Sequence, residues 1–327
     1  MKLSIVTPMY YSAPYIEMFY AEASAAAEQI TDDYEIILVN DGSPDQALDI
    51  AISLYERDAH VRVIDLSRNF GQHKAMMTGL AHANGDLVFL IDCDLEIKPA
   101  ILSQFYSEFQ RVNVDVVYGV QDVRHDRPFD RIAAQLFYAI FNLLSTEQLN
   151  QNLTTSRLMS QRYVSALVAH RERELLIAGL WAITGFKQTP IRVTKSSKGS
   201  STYHIGRKFA LIVNAVTSFS NRPLIFIFYL GLLIVFFSSL AALFLIFETI
   251  NSGLLQGWPS LIVSVWLLGG ITIFCIGIIG IYLSKIFTET KQRPYTIIRQ
   301  LYDRSVEIND GVRSDSETHR VLLQRES

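Results

Sequence analysis

Asp92-Cys93-Asp94, at the end of the apolar run Leu87-Val88-Phe89-Leu90-Ile91, sets two carboxylates at alternate positions where a buried strand runs out. Side chains two apart on extended backbone point the same way, so both can grip one hard divalent cation that bridges phosphate oxygens of a ligand. Alone, Asp-x-Asp also fits a solvated turn. Its company narrows the reading: Asn40-Asp41-Gly42-Ser43 ends a second β-rich run, and the basic loop Ser67-Arg68-Asn69-Phe70-Gly71 follows a third. Stabilising negative charge on a departing diphosphate calls for a metal and basic groups near the bridging oxygens. Asp92 and Asp94 would hold the metal, and Arg68 would meet phosphate or ribose. Asp41 is suited to accept hydrogen bonds from a base or ribose, although Asp in Asp-Gly-Ser is also an ordinary turn residue.

These groups need a common frame. Residues 1 to about 120 alternate short β-rich runs, Leu3–Val6, Glu35–Val39, Val61–Ile64, Leu87–Ile91 and Val114–Tyr118, with stretches of helical length such as Ile16–Ile30 and Gln46–Arg57. That order predicts an α/β fold, a mainly parallel sheet with helices on both faces. Ligands of such sheets gather where the carboxyl ends of the strands open at a switch point. Thr7-Pro8, Asp41-Gly42, Ser67-Arg68 and Asp92-Cys93-Asp94 all follow predicted strands and should converge on one edge. Past Gly119 the pattern changes. Pro128 to Leu144 gathers Phe129, Ile132, Leu136, Phe137, Ile140 and Leu144 on one helical face, and Phe209 to Phe219 forms a second amphipathic stretch. The second leads into Asn221-Arg222-Pro223 and is expected to lie in a membrane interface; the first either does the same or packs on the catalytic domain.

The chain has 327 residues, half of them hydrophobic, and a net charge of −3, which gives no case for nucleic-acid binding. Its apolar content is concentrated. Pro223 to Phe247 runs 25 residues without a charge and Thr249 to Ser284 another 36, against roughly 20 needed to cross a bilayer. Arg207, Lys208 and Arg222 precede the first run, Lys285, Lys291 and Arg293 follow the second, and Glu248 to Gly257 between them contains no Lys or Arg. The positive-inside tendency then makes both flanks cytoplasmic, so that a helical hairpin anchors a cytoplasmic domain. Met1-Lys2-Leu3-Ser4-Ile5-Val6, followed by Pro8, is too short for a secretory signal. Cys93 and Cys275 are the only cysteines and have no metal-ligand spacing. The tail beyond Tyr302, polar and charged, is expected to be mobile.

Taken in order, Thr7-Pro8-Met9-Tyr10, Asn40-Asp41-Gly42-Ser43-Pro44-Asp45, Ser67 to His73, Gly85-Asp86, Asp92 to Glu96, Arg157-Leu158-Met159-Ser160, Arg171-Glu172-Arg173-Glu174 and Gly280 to Lys285 with Arg293-Pro294 resemble the motifs of family 2 glycosyltransferases of the polyisoprenyl-phosphate type, relatives of dolichol-phosphate mannose synthase. The likeness covers nearly the whole chain up to about Tyr302. It implies a GT-A fold, inverting transfer from a nucleotide-sugar donor, Mg²⁺ or Mn²⁺ at the acidic motif, and a polyisoprenyl (undecaprenyl) phosphate acceptor. It further implies a homo-oligomer in the bacterial inner membrane serving cell-envelope glycan synthesis. By position, Pro8, Tyr10 and Asp41 would contact the nucleoside, Arg68 the nucleotide, and Asp92 with Asp94 the metal diphosphate. Glu172 is a further candidate site residue, and Arg124, Lys195 and Lys198 fall where relatives carry basic residues near the acceptor phosphate. The implied organisation is a GT-A domain over 1–205 containing the amphipathic helix at about 128–145, an interfacial helix over 206–222, spans over 223–248 and 258–286, and a cytoplasmic, partly disordered tail over 287–327.

The chain departs from that pattern in places. Asn40 stands where relatives carry a second acidic residue, and Tyr11-Ser12 where they carry Asn then Glu. Thr155-Ser156 replaces Asp-Phe before Arg157, and that Asp is the residue regarded as a catalytic base. A phosphate monoester is already anionic at neutral pH and needs little deprotonation, whereas a sugar hydroxyl needs a positioned base. Two other readings stand beside the leading one: a transferase extending a lipid-linked oligosaccharide or O-antigen, and an inactive scaffold subunit. Retention of Asp92, Asp94 and Arg68 argues against the scaffold.

Overall fold

The computed structural model describes residues 1–121, 153–170, 172, 177–194 and 258–304, with scattered helical positions between 224 and 240. The chain separates into two compact units, one carrying the sheet and the other the long apolar helix.

Strand β1 (Leu3–Met9) and β2 (Tyr34–Asn40) are buried at every position. This is the signature of strands covered on both faces, and it explains their unbroken apolar runs. β3 (Val61–Leu66) continues the sheet on one side of β2, while β4 (Leu87–Leu90) pairs with the opposite side of β1. β1, β2, β3 and β4 are all parallel to their neighbours in this group. The chain therefore reverses its direction of travel across the sheet between β1 and β4, creating a switch point there. Beyond β4 lie β6 (Leu153–Ser160), antiparallel to β4, then β5 (Val116–Gln121), and β7 (Gln188–Val193), parallel to β5. β8 (Ile298–Tyr302) pairs antiparallel with β3 and completes the eight-stranded order β7-β5-β6-β4-β1-β2-β3-β8.

Two cores sit on the two faces. On one, Phe19 and Ala23 of α1 (Ile16–Glu28), Leu54 of α2 (Ala47–Arg57) and Phe105 of α4 (Leu102–Val112) cover Ile5, Ile36 and Phe89. On the other, Met76 and Leu80 of α3 (Gln72–Ala81), Tyr163 of α5 (Gln161–Val168) and Trp181 of α6 (Ile177–Ile183) cover Val6, Val39 and Leu90. α3 approaches β1 and β2 closely because it carries Gly79, where a Cβ would lie 2.5 Å from Val6 Cγ1 and 2.8 Å from Val39 Cγ2.

The sheet mixes parallel and antiparallel pairs, and β6, β7 and β8 add to the strands that the sequence predicts. In the other unit α7 (Trp258–Thr290) spans 33 residues. Among the described residues one segment, Leu268–Thr290 of α7, is long and apolar enough to cross a membrane, with mean hydropathy 2.0 and none of it buried. The first expected span is described only at scattered helical positions, among them the exposed Phe226, Tyr229, Phe236 and Phe237. The amphipathic segments expected at 128–145 and 206–222 lie outside the described residues.

Candidate active site

The four strand ends foreseen at one edge are the carboxyl ends of the adjacent parallel strands β3, β2, β1 and β4. Asp41, one residue past β2, is 2% exposed. Its Oδ1 accepts from Phe70 N at 2.7 Å and its Oδ2 from Gly71 N at 3.0 Å. The carboxylate thus holds the loop after β3 in place. Gly42 allows the approach: its φ is +61°, and a Cβ there would strike the backbone of Arg68 and Asn69. Burial pushes the Asp41 carboxyl above the usual carboxylate range, against the pull of the two N–H donors and of Arg68 and Lys74. Arg68 is exposed at the edge, its guanidinium 4.2 Å from the Phe70 ring centre.

After β4, Asp92 and Asp94 are both partly exposed, and Cys93 between them is buried. Asp92 Oδ1 accepts from Gln72 Nε2 at 2.8 Å, which ties the acidic motif to the first residue of α3. Asp94 Oδ1 accepts from Glu96 N at 3.0 Å across Leu95, whose φ is +60°. Burial, with the charges of Asp94 and Asp92 adding to it, pushes the Cys93 thiol up to about 12, so it stays protonated and inert. No group of three or more His, Cys, Asp or Glu that could hold a metal occurs among the described residues. Two carboxylates with the remaining ligands supplied by substrate phosphates is nevertheless an ordinary way to bind Mg²⁺, and hard oxygen donors suit Mg²⁺ and Mn²⁺ equally.

Pro8 is buried in β1 beside Val39, while Tyr10 and Tyr11 stand out from its end, 46% and 61% exposed. Their rings meet edge to face with centres 4.8 Å apart. This turn is tied to the one after β2: Tyr11 N donates to Ser43 Oγ at 2.8 Å and Ala13 N to Asp45 Oδ2 at 3.0 Å. Tyr11 has φ +52°, a left-handed conformation that Asn tolerates and a bulky residue does not.

Pro8, Tyr10, Asp41, Arg68, Asp92 and Asp94 therefore belong to adjacent strand ends. Glu172 is described and partly buried, four residues past α5. Arg124, Lys195 and Lys198 lie outside the described residues. β6 runs antiparallel to β4 with Arg157 opposite Leu90, so Thr155 lies toward the end of β4 that carries the acidic motif. Arg157 itself is 1% exposed, its guanidinium 3.0 Å from the Trp181 ring centre. Burial pulls it down to about 9. Sequence reasoning missed Gln72, the partner of Asp92, and Asn40, whose Nδ2 donates to Asp65 Oδ1 at 2.8 Å. In the sequence Asn40 stands out only as a departure from the family pattern. The buried Asp65 beside it explains the amide, because an acid at 40 would face a second carboxylate.

Residues 4–168 match the model of Glycosyl transferase family 2. A Mycobacterium tuberculosis protein described among glycosyltransferases is 57% identical over 92% of this chain and 89% of its own length. The bactoprenol glucosyl transferase of Shigella phage SfV is 32% identical over 91% of this chain and 98% of its own length. Among solved structures, residues 1–349 of Staphylococcus aureus TarS align at TM-score 0.45 and 18% identity, covering 67% of this chain and 65% of that one.

Proposed function

The chain belongs to glycosyl transferase family 2, and from that premise we propose that it moves a sugar from a nucleotide-sugar donor to a polyisoprenyl phosphate at the cytoplasmic face of the bacterial inner membrane. The supporting observation is the meeting of an acidic pair, Asp92 and Asp94, with a basic loop held by Asp41 at the switch point of the sheet. The relative's name, bactoprenol glucosyl transferase, supplies the acceptor class.

On this reading the exposed rings of Tyr10 and Tyr11 and the loop after β3 receive the nucleoside. Asp92 and Asp94 hold a divalent cation, which when bound neutralises charge on the diphosphate. Gln72 orients Asp92 for that task. The phosphate oxygen of the acceptor attacks the anomeric carbon, and the bond to the nucleoside diphosphate breaks with inversion. The attacking oxygen carries its charge already, so no side chain must remove a proton, and Thr155 rather than Asp beside the acidic motif suits such an acceptor. α7, pairing with the apolar run at 223–248 as a hairpin, anchors the enzyme where the lipid lies.

The acceptor class is tested by supplying purified full-length protein, Mn²⁺ and a donor with either undecaprenyl phosphate or an undecaprenyl-linked saccharide, and following nucleoside diphosphate release. Release should depend on the lipid phosphate. Release with the lipid-linked saccharide alone would replace this reading with that of a chain-extending transferase.

A further inference from the structure

The loop after β3 is fastened from two directions. Asp41 holds Phe70 and Gly71 from within the sheet. Ser67 is held from the sheet edge, by residues that follow α7. Ser67 N donates to Ile297 O at 2.9 Å, and Arg299 Nη2 donates to Ser67 O at 2.6 Å. Both backbone polar groups of Ser67 are thus taken by one short segment from the far end of the chain.

Arg299 reaches further. Its Nη1 lies 3.4 Å from Asp65 Oδ2. Asp65 in turn accepts from Asn40 Nδ2, and Asn40 Oδ1 accepts from Ser43 N at 3.1 Å, in the turn that contains Asp41. A relay of polar contacts therefore crosses β8, β3 and β2 and ends at the other anchor of the same loop. The ladder itself singles out Arg299: Ile298 pairs with Leu66 and Gln300 with Asp65, so the register shifts at Arg299 and leaves it as the extra residue of a bulge. Bulges of this kind re-aim a side chain next to functional sites. Closing a sheet edge needs no such device. Arg304, just past β8, serves simple docking, with Nη2 donating to Tyr55 O at 2.7 Å and Glu56 O at 3.1 Å, away from the loop.

We infer that Arg299 is a positioning residue for the donor: it sets the Ser67-Arg68 backbone where the nucleotide is received, so the donor site is built from both ends of the chain. The ligand is the donor of the preceding section, and the inference rests on that reading to this extent.

The test uses full-length protein in detergent with Arg299→Ala, Arg299→Lys and, as a control for strand docking, Arg304→Ala. Without ligand, amide hydrogen exchange over residues 67–71 should quicken in Arg299→Ala and stay at the parent rate in Arg304→Ala. With Mn²⁺, Arg299→Ala should raise the Kd for UDP and the KM for the nucleotide sugar roughly tenfold, equivalent to about 1.4 kcal/mol. kcat should change little, and Arg299→Lys should recover part of the loss. Unchanged exchange and binding in Arg299→Ala, or equal losses in Arg299→Ala and Arg304→Ala, would overturn this inference alone. A parent protein that binds no nucleoside diphosphate would overturn the donor reading and this inference with it.

Discussion

Tyr11 occupies a backbone conformation its side chain disfavours, with φ +52°. Asn would sit there with less strain, so Tyr11→Asn should raise stability by about 1 kcal/mol in urea denaturation. The strain keeps a large exposed ring against Tyr10 at the proposed nucleoside end of the site, and the same substitution should weaken donor binding. Asp41 carries a different conflict. Burial raises its folded-state pKa, so its own contribution to stability is fully present below its unfolded value and is lost as pH rises through the folded one. The melting temperature of the parent should therefore gain on that of Asp41→Asn as pH falls through the raised value. Donor binding should run the other way, because the ionised carboxylate is the form that accepts from both Phe70 N and Gly71 N. The site's residue types were legible in the sequence, since carboxylates and a basic loop placed just after apolar runs mark strand ends. The bonds of Asp41 were not, because its partners lie 29 and 30 residues away and only the packed sheet brings them near.

At the level of elements, α3 connects the two halves of the site, since it begins beside the loop after β3 and its Gln72 holds Asp92. Its seating depends on Gly79, and Gly79→Ala should cost about 1–3 kcal/mol by overpacking against Val6 and Val39, read as a lowered urea midpoint. The sheet edge depends on charge. Arg62 of β3 bonds Glu35 of β2 at 2.8 Å and Asp303, just past β8, at 2.6 Å, all three largely buried. Burial works against ionised Glu35, but Ser4 Oγ, the Asn84 N–H and Arg62 together hold its carboxyl below the usual range. Its contribution is thus present above the ordinary carboxylate value and lost as pH falls through the lowered one. Glu35→Ala at neutral pH should cost about 3 kcal/mol, because it leaves the Arg62 side of a buried pair without one of its carboxylates. β1 to β4 could be read from the sequence because unbroken or nearly unbroken apolar runs mark doubly covered strands. β6 and β8 could not, since Leu153–Ser160 and Ile298–Tyr302 mix polar with apolar residues and become strands only by pairing with β4 and β3.

For the whole molecule, the exposed apolar surface of α7, with Ile273 73% and Phe274 62% exposed, needs a cover that water does not provide. The proposed bilayer anchor leads to a simple expectation: the protein should stay with membranes through an alkaline carbonate wash and leave only with detergent. Hydropathy made that helix legible from composition alone. The return of the chain from α7 into the catalytic sheet was hidden, because no local pattern shows that residues 298–302 pair with a strand more than 200 positions earlier. The reaction proposed for this enzyme is transfer of one sugar to a lipid phosphate, with Asp92 and Asp94 holding the metal. It is tested most directly by the mass of the lipid recovered after incubating full-length protein with undecaprenyl phosphate, Mn²⁺ and a panel of nucleotide sugars, beside the double variant Asp92→Asn, Asp94→Asn. The expected result is one sugar added to the lipid phosphate by the parent and none by the variant. An unchanged lipid with every donor, or equal product from parent and variant, would contradict it.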